Sequence, residues 1–145
     1  MHISSRLAVS VHILGLLHAF GGDAPMSSEE IAGSVNTNPA VIRRMLGMLA
    51  KAGLVTSRLG AGGGALLAKR PREISLGDVY RAVEHGELFA MHDAPNPRCP
   101  VGRSINDVLA SHFHRADAAM LRELDRTTIA DIASAVQRAP LKRGA

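Results

Sequence analysis

Residues 26–68 read MSSEEIAGSVNTNPAVIRRMLGMLAKAGLVTSRLGAGGGALLA, and the order of elements in this stretch decides the fold. Ser27-Ser28-Glu29-Glu30 sets a hydroxyl N-cap ahead of two carboxylates, which suits the positive end of a helix. Ile31, Ala32 and Val35 then fall on one face. Asn36-Thr37-Asn38 breaks this helix, and Asn38-Pro39 starts another with an asparagine N-cap and a proline at the first helical position. In the second helix Ile42, Met45, Leu46 and Leu49 form one stripe, while Ala40, Arg43, Arg44, Gly47 and Lys51 face away. Gly53 ends it. Two short helices across a tight turn, the second with a basic outer face, make a helix-turn-helix, a shape that fits the major groove of DNA.

The hairpin that follows supplies the second half of the reading. Leu54-Val-Thr-Ser57 and Ala65-Leu-Leu-Ala68 are strand-like runs flanking a tip, Gly60-Ala-Gly-Gly-Gly64, with four glycines in five residues. This is the layout of a winged helix-turn-helix. Glycines in a wing let the main chain approach phosphates, and Arg58 at its base is placed to reach a narrow groove. Amphipathic helix pairs and glycine hairpins are each common alone; their order and spacing together favour DNA. The tip also matches a loose dinucleotide fingerprint, Gly60-Ala-Gly62-Gly-Gly-Ala65. That motif needs a helix of about ten residues after it. Pro71 arrives too soon, and no parallel strand follows, so nucleotide binding is rejected.

The 145 residues carry 17 Lys/Arg against 13 Asp/Glu, a net charge of +4. That charge is unevenly spread. Residues 26–70 hold six Lys/Arg and two Asp/Glu, whereas residues 71–97 hold two and five. The basic surplus coincides with the expected DNA face, as phosphate affinity requires. Near the N-terminus, Arg6 and the apolar run Leu7–Phe20 imitate a signal peptide, but His12 and His18 interrupt the run and no small-x-small cleavage site follows. It is also short for a membrane span of about 20 residues. The better reading is a helix apolar on two sides, with Ile3, Leu7, Leu14 and Leu17 on one and Val9, Ile13, Leu16 and Phe20 on the other. One side would face its own domain and the other a partner subunit. A cytoplasmic protein without membrane attachment is expected.

The carboxy-terminal third reads as an assembly element. Between Val101 and Leu124 there is no proline, and Ile105, Val108, Leu109, Phe113, Ala116, Ala119 and Met120 recur at helical spacing, with Leu124 at the margin. Such a helix spans roughly 35 Å. Few other apolar segments remain to cover it, so a dimer interface is favoured over a monomer core. Thr128-Ile-Ala-Asp131 resembles a capping box and starts a last helix through Val136, followed by a basic tail from Arg138 to Ala145. The expected architecture is mainly α, a winged helix-turn-helix with a small β-hairpin wing and a long C-terminal dimerisation helix. Its parts are a DNA-binding domain over residues 1–90, a linker or sensor loop over 91–100, and dimerisation and C-terminal helices over 101–145.

Asn38-Pro39-Ala-Val-Ile-Arg-Arg44, Ala52-Gly-Leu-Val55, the glycine wing and Ile74-Ser-Leu-Gly-Asp-Val-Tyr-Arg-Ala-Val-Glu84 together resemble the Rrf-two family of bacterial winged-helix regulators. The family includes iron–sulfur-cluster and nitric-oxide-sensing repressors. The resemblance runs from about Ile3 to Ile132. It implies a homodimeric repressor on inverted-repeat operators, with the helix after the turn reading bases and a wing arginine entering the minor groove. The expected contacts to double-stranded DNA are Ser28, Asn38, Pro39, Ala40, Arg43, Arg44, Lys51, Arg58, Gly62 and Gly63. One departure stands out: many members have an arginine directly before the first wing glycine, where this chain has Leu59 and carries Arg58 one residue earlier.

In cluster-binding relatives the segment corresponding to Asp93-Ala-Pro-Asn-Pro-Arg-Cys99-Pro supplies three cysteines. This chain has one, so a dimer offers two thiolates where a cluster normally takes four protein ligands. A mixed site drawing on His12, His92, His112 or His114 is the remaining metal reading; no metal or cofactor is expected. His112 and His114, two apart on one helix, cannot chelate together, and His112 falls on the apolar stripe as a core or interface residue. Two effector readings stand side by side. In one, Cys99 is a redox sensor, its thiolate favoured by Arg98 and a nearby helix start, and an oxidant releases the DNA. In the other, a small molecule binds between the long helix and the Tyr80–Phe89 region. No nucleophile–base pair, metal motif or catalytic carboxylate pair is present, so an enzyme is not expected. A winged-helix protein–protein adaptor is the alternative.

Overall fold

The computed structural model describes residues 4–141, and the expected Ile3 contact and the end of the basic tail lie outside them. In chain order the elements are α1 (Arg6–Leu16), a π-helical turn (Leu17–Gly21), α2 (Ser28–Val35), α3 (Pro39–Lys51), β1 (Val55–Arg58), β2 (Gly64–Leu67), a 3-10 turn (Pro71–Glu73), α4 (Leu76–Val83), α5 (Pro100–Leu124) and α6 (Ile129–Arg138). The protein is mainly helical with a two-stranded antiparallel hairpin. No described helix is long and apolar enough to cross a membrane.

Local chemistry sets most helix boundaries. Ser27 Oγ accepts from the Glu30 N–H at 3.2 Å while the Glu30 carboxylate accepts from the Ser27 N–H at 2.7 Å, closing a capping box. The Ser27 N–H, then the Ser27 hydroxyl, hold the Glu30 pKa below its usual range. Ser75 with Asp78 and Thr128 with Asp131 repeat the device at α4 and α6. Asn36 closes α2 in the left-handed region at φ 60°, and Asn38 Oδ1 accepts from the Ala40 N–H at 2.8 Å to open α3 behind Pro39. The tight turn is therefore built by the two asparagines that the sequence reading placed there.

One core joins these elements. Ile13, Leu14 and Leu17, Ile31, Ile42, Met45 and Leu49, Leu54, Ile74, Val79, Val83 and Ile129 are all buried. Each such side chain contributes about 1.5–3 kcal/mol relative to exposure. These contributions come from α1 to α4, the hairpin entry and the start of α6; α5 has no buried residue.

Several expectations need correction. The strands begin and end one residue off, at Val55–Arg58 and Gly64–Leu67; Leu67 pairs Val55 and Gly64 pairs Arg58, and beyond the ladder the Ala68 N–H donates to the Leu54 carbonyl at 3.0 Å. Leu46 is half-buried. Phe20, assigned to a buried face of the first helix, is 74% exposed. The π-helical turn inserts extra residues per turn after Leu16, so a 3.6-residue spacing no longer predicts which side faces inward. His112 is exposed and its Nδ1 lies 2.9 Å from Arg115 Nη2, so it is no core histidine of this chain. The last helix runs to Arg138, two residues past Val136.

Besides its core packing, the hairpin has one isolated backbone pairing to the segment ahead of α2 among the described residues. The Met26 N–H donates to the Ala65 carbonyl at 3.0 Å, and the Ala65 N–H donates to Met26 at 2.8 Å. A side chain at Gly64 would collide with the Met26 carbonyl, and its φ of 153° also disfavours other residues. Gly64→Ala is therefore expected to destabilise the protein by about 1–3 kcal/mol through forced backbone displacement. Thermal unfolding would register this as a loss of several degrees, while Gly62→Ala, whose Cβ meets open space, pays only for its φ of 73° and should lose less.

Candidate nucleic-acid interface

The outer face of α3 carries Ala40, Arg43, Arg44, Gly47 and Lys51, all exposed. Asn38 is exposed at its N-terminus, with its side-chain oxygen committed to the cap and its amide NH2 outward-capable. Pro39 and Ser28 beside it are half-buried. Arg44 and Lys51 have no ion-pair partner among the described residues. Arg43 does: its Nη1 donates to Glu29 Oε1 at 3.1 Å, bridging α3 to α2. The helix thus presents two untethered cations and one arginine held by a carboxylate.

The wing is joined through the Met26–Ala65 pairing to the residue before the N-cap of α2. Arg58, expected to reach into a groove, donates from Nη1 to the Asp23 carbonyl at 3.3 Å. Leu59 is 96% exposed at the tip. Gly62 is exposed with φ 73°, whereas the Gly63 N–H already donates to Gly60 at 3.0 Å and a Cβ there would strike the Arg58 carbonyl. Gly63 closes the turn, and Gly62 lies exposed at the tip.

A family model described as Rrf2, iron-dependent transcriptional regulator, matches residues 3–135. The chain belongs to the Rrf2 family. Among its relatives, YwnA of Bacillus subtilis is 50% identical over 131 residues, covering 90% of this chain and 96% of that protein. The HTH-type transcriptional regulator CymR of the same organism is 30% identical over 134 residues, covering 92% and 91% of the two chains. The solved structure of B. subtilis CymR superposes with a TM-score of 0.68 at 27% identity, over 93% of this chain and 98% of that one. That of T. potens IscR superposes with a TM-score of 0.70 at 27% identity, over 99% and 94%. This Rrf2 chain is a DNA-binding transcription regulator of the helix-turn-helix type, and not an enzyme.

The family description includes iron, so the donor set matters. Cys99 is exposed at the N-cap of α5, and the chain holds no other cysteine. Among the described residues no group of three or more His, Cys, Asp and Glu side chains could hold a metal ion. Two thiolates per pair of subunits do not fit a cluster that takes four ligands. Cys99 has another chemistry. The Gly102 N–H, then the Val101 N–H, at the start of α5 hold its thiol pKa below the ordinary value. Its segment is folded onto the helix: the Cys99 N–H donates to Asn96 at 3.2 Å, and Asn106 Nδ2 donates to the His92 carbonyl at 2.9 Å.

In the region expected to hold a small molecule, the Phe89 and Phe113 rings lie with centroids 5.0 Å apart and planes tilted by 33°. A separate apolar cleft of about 410 Å³ lies between α1 and α6, lined by Val11, Gly15, Phe20, Ile132 and Val136 with His12. Sequence reasoning missed the Glu29 tether and the Asp23 carbonyl under Arg58. The position of Glu29 beside the capping residues was the one available signal.

Arg44 offers a direct test of this face. Arg44→Ala is expected to weaken binding to duplexes of any sequence alike. It should also flatten the dependence of log affinity on log salt by about 0.9, read by fluorescence anisotropy over a salt series.

Proposed function

We propose that this Rrf2 regulator acts in the cytoplasm as a homodimeric repressor on an inverted-repeat operator. The observation that carries the reading is the exposed basic face of α3 beside a wing that is locked to the entrance of α2. On this reading α3 enters the major groove with Asn38, Pro39, Ala40 and Arg43 toward the bases, and Arg44 on the same helix meets the phosphate backbone. Ser28, Lys51, Arg58, Gly62 and Gly63 belong to the backbone and wing contacts.

Dimerisation is supported by α5. Its 25 residues extend roughly 37 Å, none is buried, and Val101 and Val108 are 67% and 58% exposed. A long amphipathic helix uncovered by its own chain is an interface waiting for a second copy. Repression follows from the family resemblance. The regulator works without a cluster or other cofactor, in keeping with its single cysteine.

Fragments selected from random duplex DNA should converge on an inverted repeat. Footprinting should protect two half-sites on one face, about one or two helical turns apart. No consensus, or protection of a single half-site, would overturn the reading.

Cys99 is the redox sensor in this proposal. Two thiols, one from each subunit, lose two protons and two electrons to peroxide, giving a disulfide and two waters, and the linked subunits release the operator. Iodoacetamide should label Cys99 in the folded protein with a pH midpoint below that of the unfolded chain, since the α5 N–H groups favour the thiolate. Peroxide should lower operator affinity in the wild type and leave Cys99→Ser unaffected. Equal loss in both would remove Cys99 from the mechanism.

A further inference from the structure

We infer that Glu29 is a specificity-determining positioning residue: it aims Arg43 at a base and keeps that arginine off the phosphates. The inference rests on the proposed placement of α3 in the major groove.

Glu29 and Glu30 are adjacent but differently employed. Glu30 closes the capping box with Ser27, so the cap fully accounts for it. Glu29 takes no part in the cap. Its Oε1 accepts from Arg43 Nη1 at 3.1 Å across the outer side of the helix pair. The side chains are 68% and 59% exposed. A pair so exposed contributes little to folding, about 0–1 kcal/mol. A carboxylate beside a surface built for a polyanion also weakens attraction to that polyanion. The place of Glu29 in the first turn of α2 suits the helix dipole, but that role needs no arginine partner, and the pairing with Arg43 adds a geometric effect. One N–H of the guanidinium is held on the Glu29 side, and its other N–H groups stay available. A guanidinium presented in this way suits the O6 and N7 acceptors of guanine in the major groove. Arg44, the next residue, carries no tether and serves as a phosphate contact.

The tether trades affinity for discrimination. With it, Arg43 counts little toward neutralising phosphates. Without it, the freed arginine swings to the backbone, and binding to any duplex strengthens while base preference falls.

The test is operator selection and salt-dependent anisotropy on the full-length wild type, Glu29→Gln, Glu29→Asp and Arg43→Ala, with thermal unfolding confirming that each is folded. Glu29→Gln is expected to steepen the salt slope on unrelated duplex by about 0.9, one extra phosphate contact. It should lower the ratio of operator to unrelated-duplex affinity about tenfold, concentrated at one base pair per half-site. Arg43→Ala should erase the preference at that same base pair without steepening the slope, and Glu29→Asp should keep part of it. Unchanged preference and slope in Glu29→Gln overturn the inference, as does a uniform loss at every position, which marks a structural role only. A wild type that selects no sequence overturns the placement of α3 itself, and is thereby distinguished from a failure of the tether.

Discussion

The pairing of Met26 with Ala65 is the constraint on which the geometry of the reading head depends. A two-stranded hairpin is marginal on its own, and this one has only four residue pairs. Its second strand gains a partner on the far side where Met26 exchanges both backbone hydrogen bonds with Ala65. Met26 is also the residue before the N-cap of α2. One short contact therefore sets the wing against the start of the helix-turn-helix. It explains why Gly64 must lack a side chain, why Ala65 and Leu66 are buried, and why the Asp23 carbonyl comes within reach of Arg58.

A second junction holds the long helix to the head. Arg81 on α4 donates two hydrogen bonds to Asp125 just after α5, at 2.8 and 2.6 Å, and Ser75 Oγ donates to the same carboxylate at 3.1 Å. Main-chain bonds run alongside, from Leu76 N–H to Thr127 at 2.9 Å and from Ile129 N–H to Ile74 at 2.9 Å. A side chain at Gly77 would strike Asp125. The Arg81 guanidinium holds the Asp125 pKa below the usual carboxylate range, and the pairing raises that of Arg81. The carboxylate's share of stability is thus present above its unfolded pKa and lost as pH falls through the lower folded one. Because the pair is half exposed, that share is small, and its consequence is directional: it fixes the base from which α5 departs.

Local signals were legible in the sequence wherever one residue acts on its neighbours. The caps at Ser27, Asn38 and Thr128, the break at Asn36 and the stripe of α3 all depend on residues within four positions of each other. Contacts between distant segments were not legible. Met26 pairs as an isolated residue, too short to show alternation. Arg43–Glu29, Arg58–Asp23 and Arg81–Asp125 join residues 14, 35 and 44 positions apart. Phe20 misled for a related reason, since helical periodicity holds only while the helix keeps its pitch. At the expected DNA face the residue types were therefore readable, but which cations were already occupied was not.

That distinction changes what the charge of the head means. Residues 26–70 carry six Lys/Arg, and counted as formal charges they are equivalent. In the structure Arg43 is held by Glu29, Arg58 by the Asp23 carbonyl, and Arg70 by Glu73 at 3.7 Å. Arg44, Lys51 and Lys69 have no such partner among the described residues. Long-range attraction to a polyanion draws on every charge, but a short phosphate contact requires a side chain able to move to meet it. The untethered cations fit that role. Arginines held by carboxylates or carbonyls have less freedom and more direction, and in the proposed placement of α3 this suits Arg43 to base readout. The basic residues of this segment are therefore two populations, and the separation between them is made by acceptors that formal charge alone does not reveal.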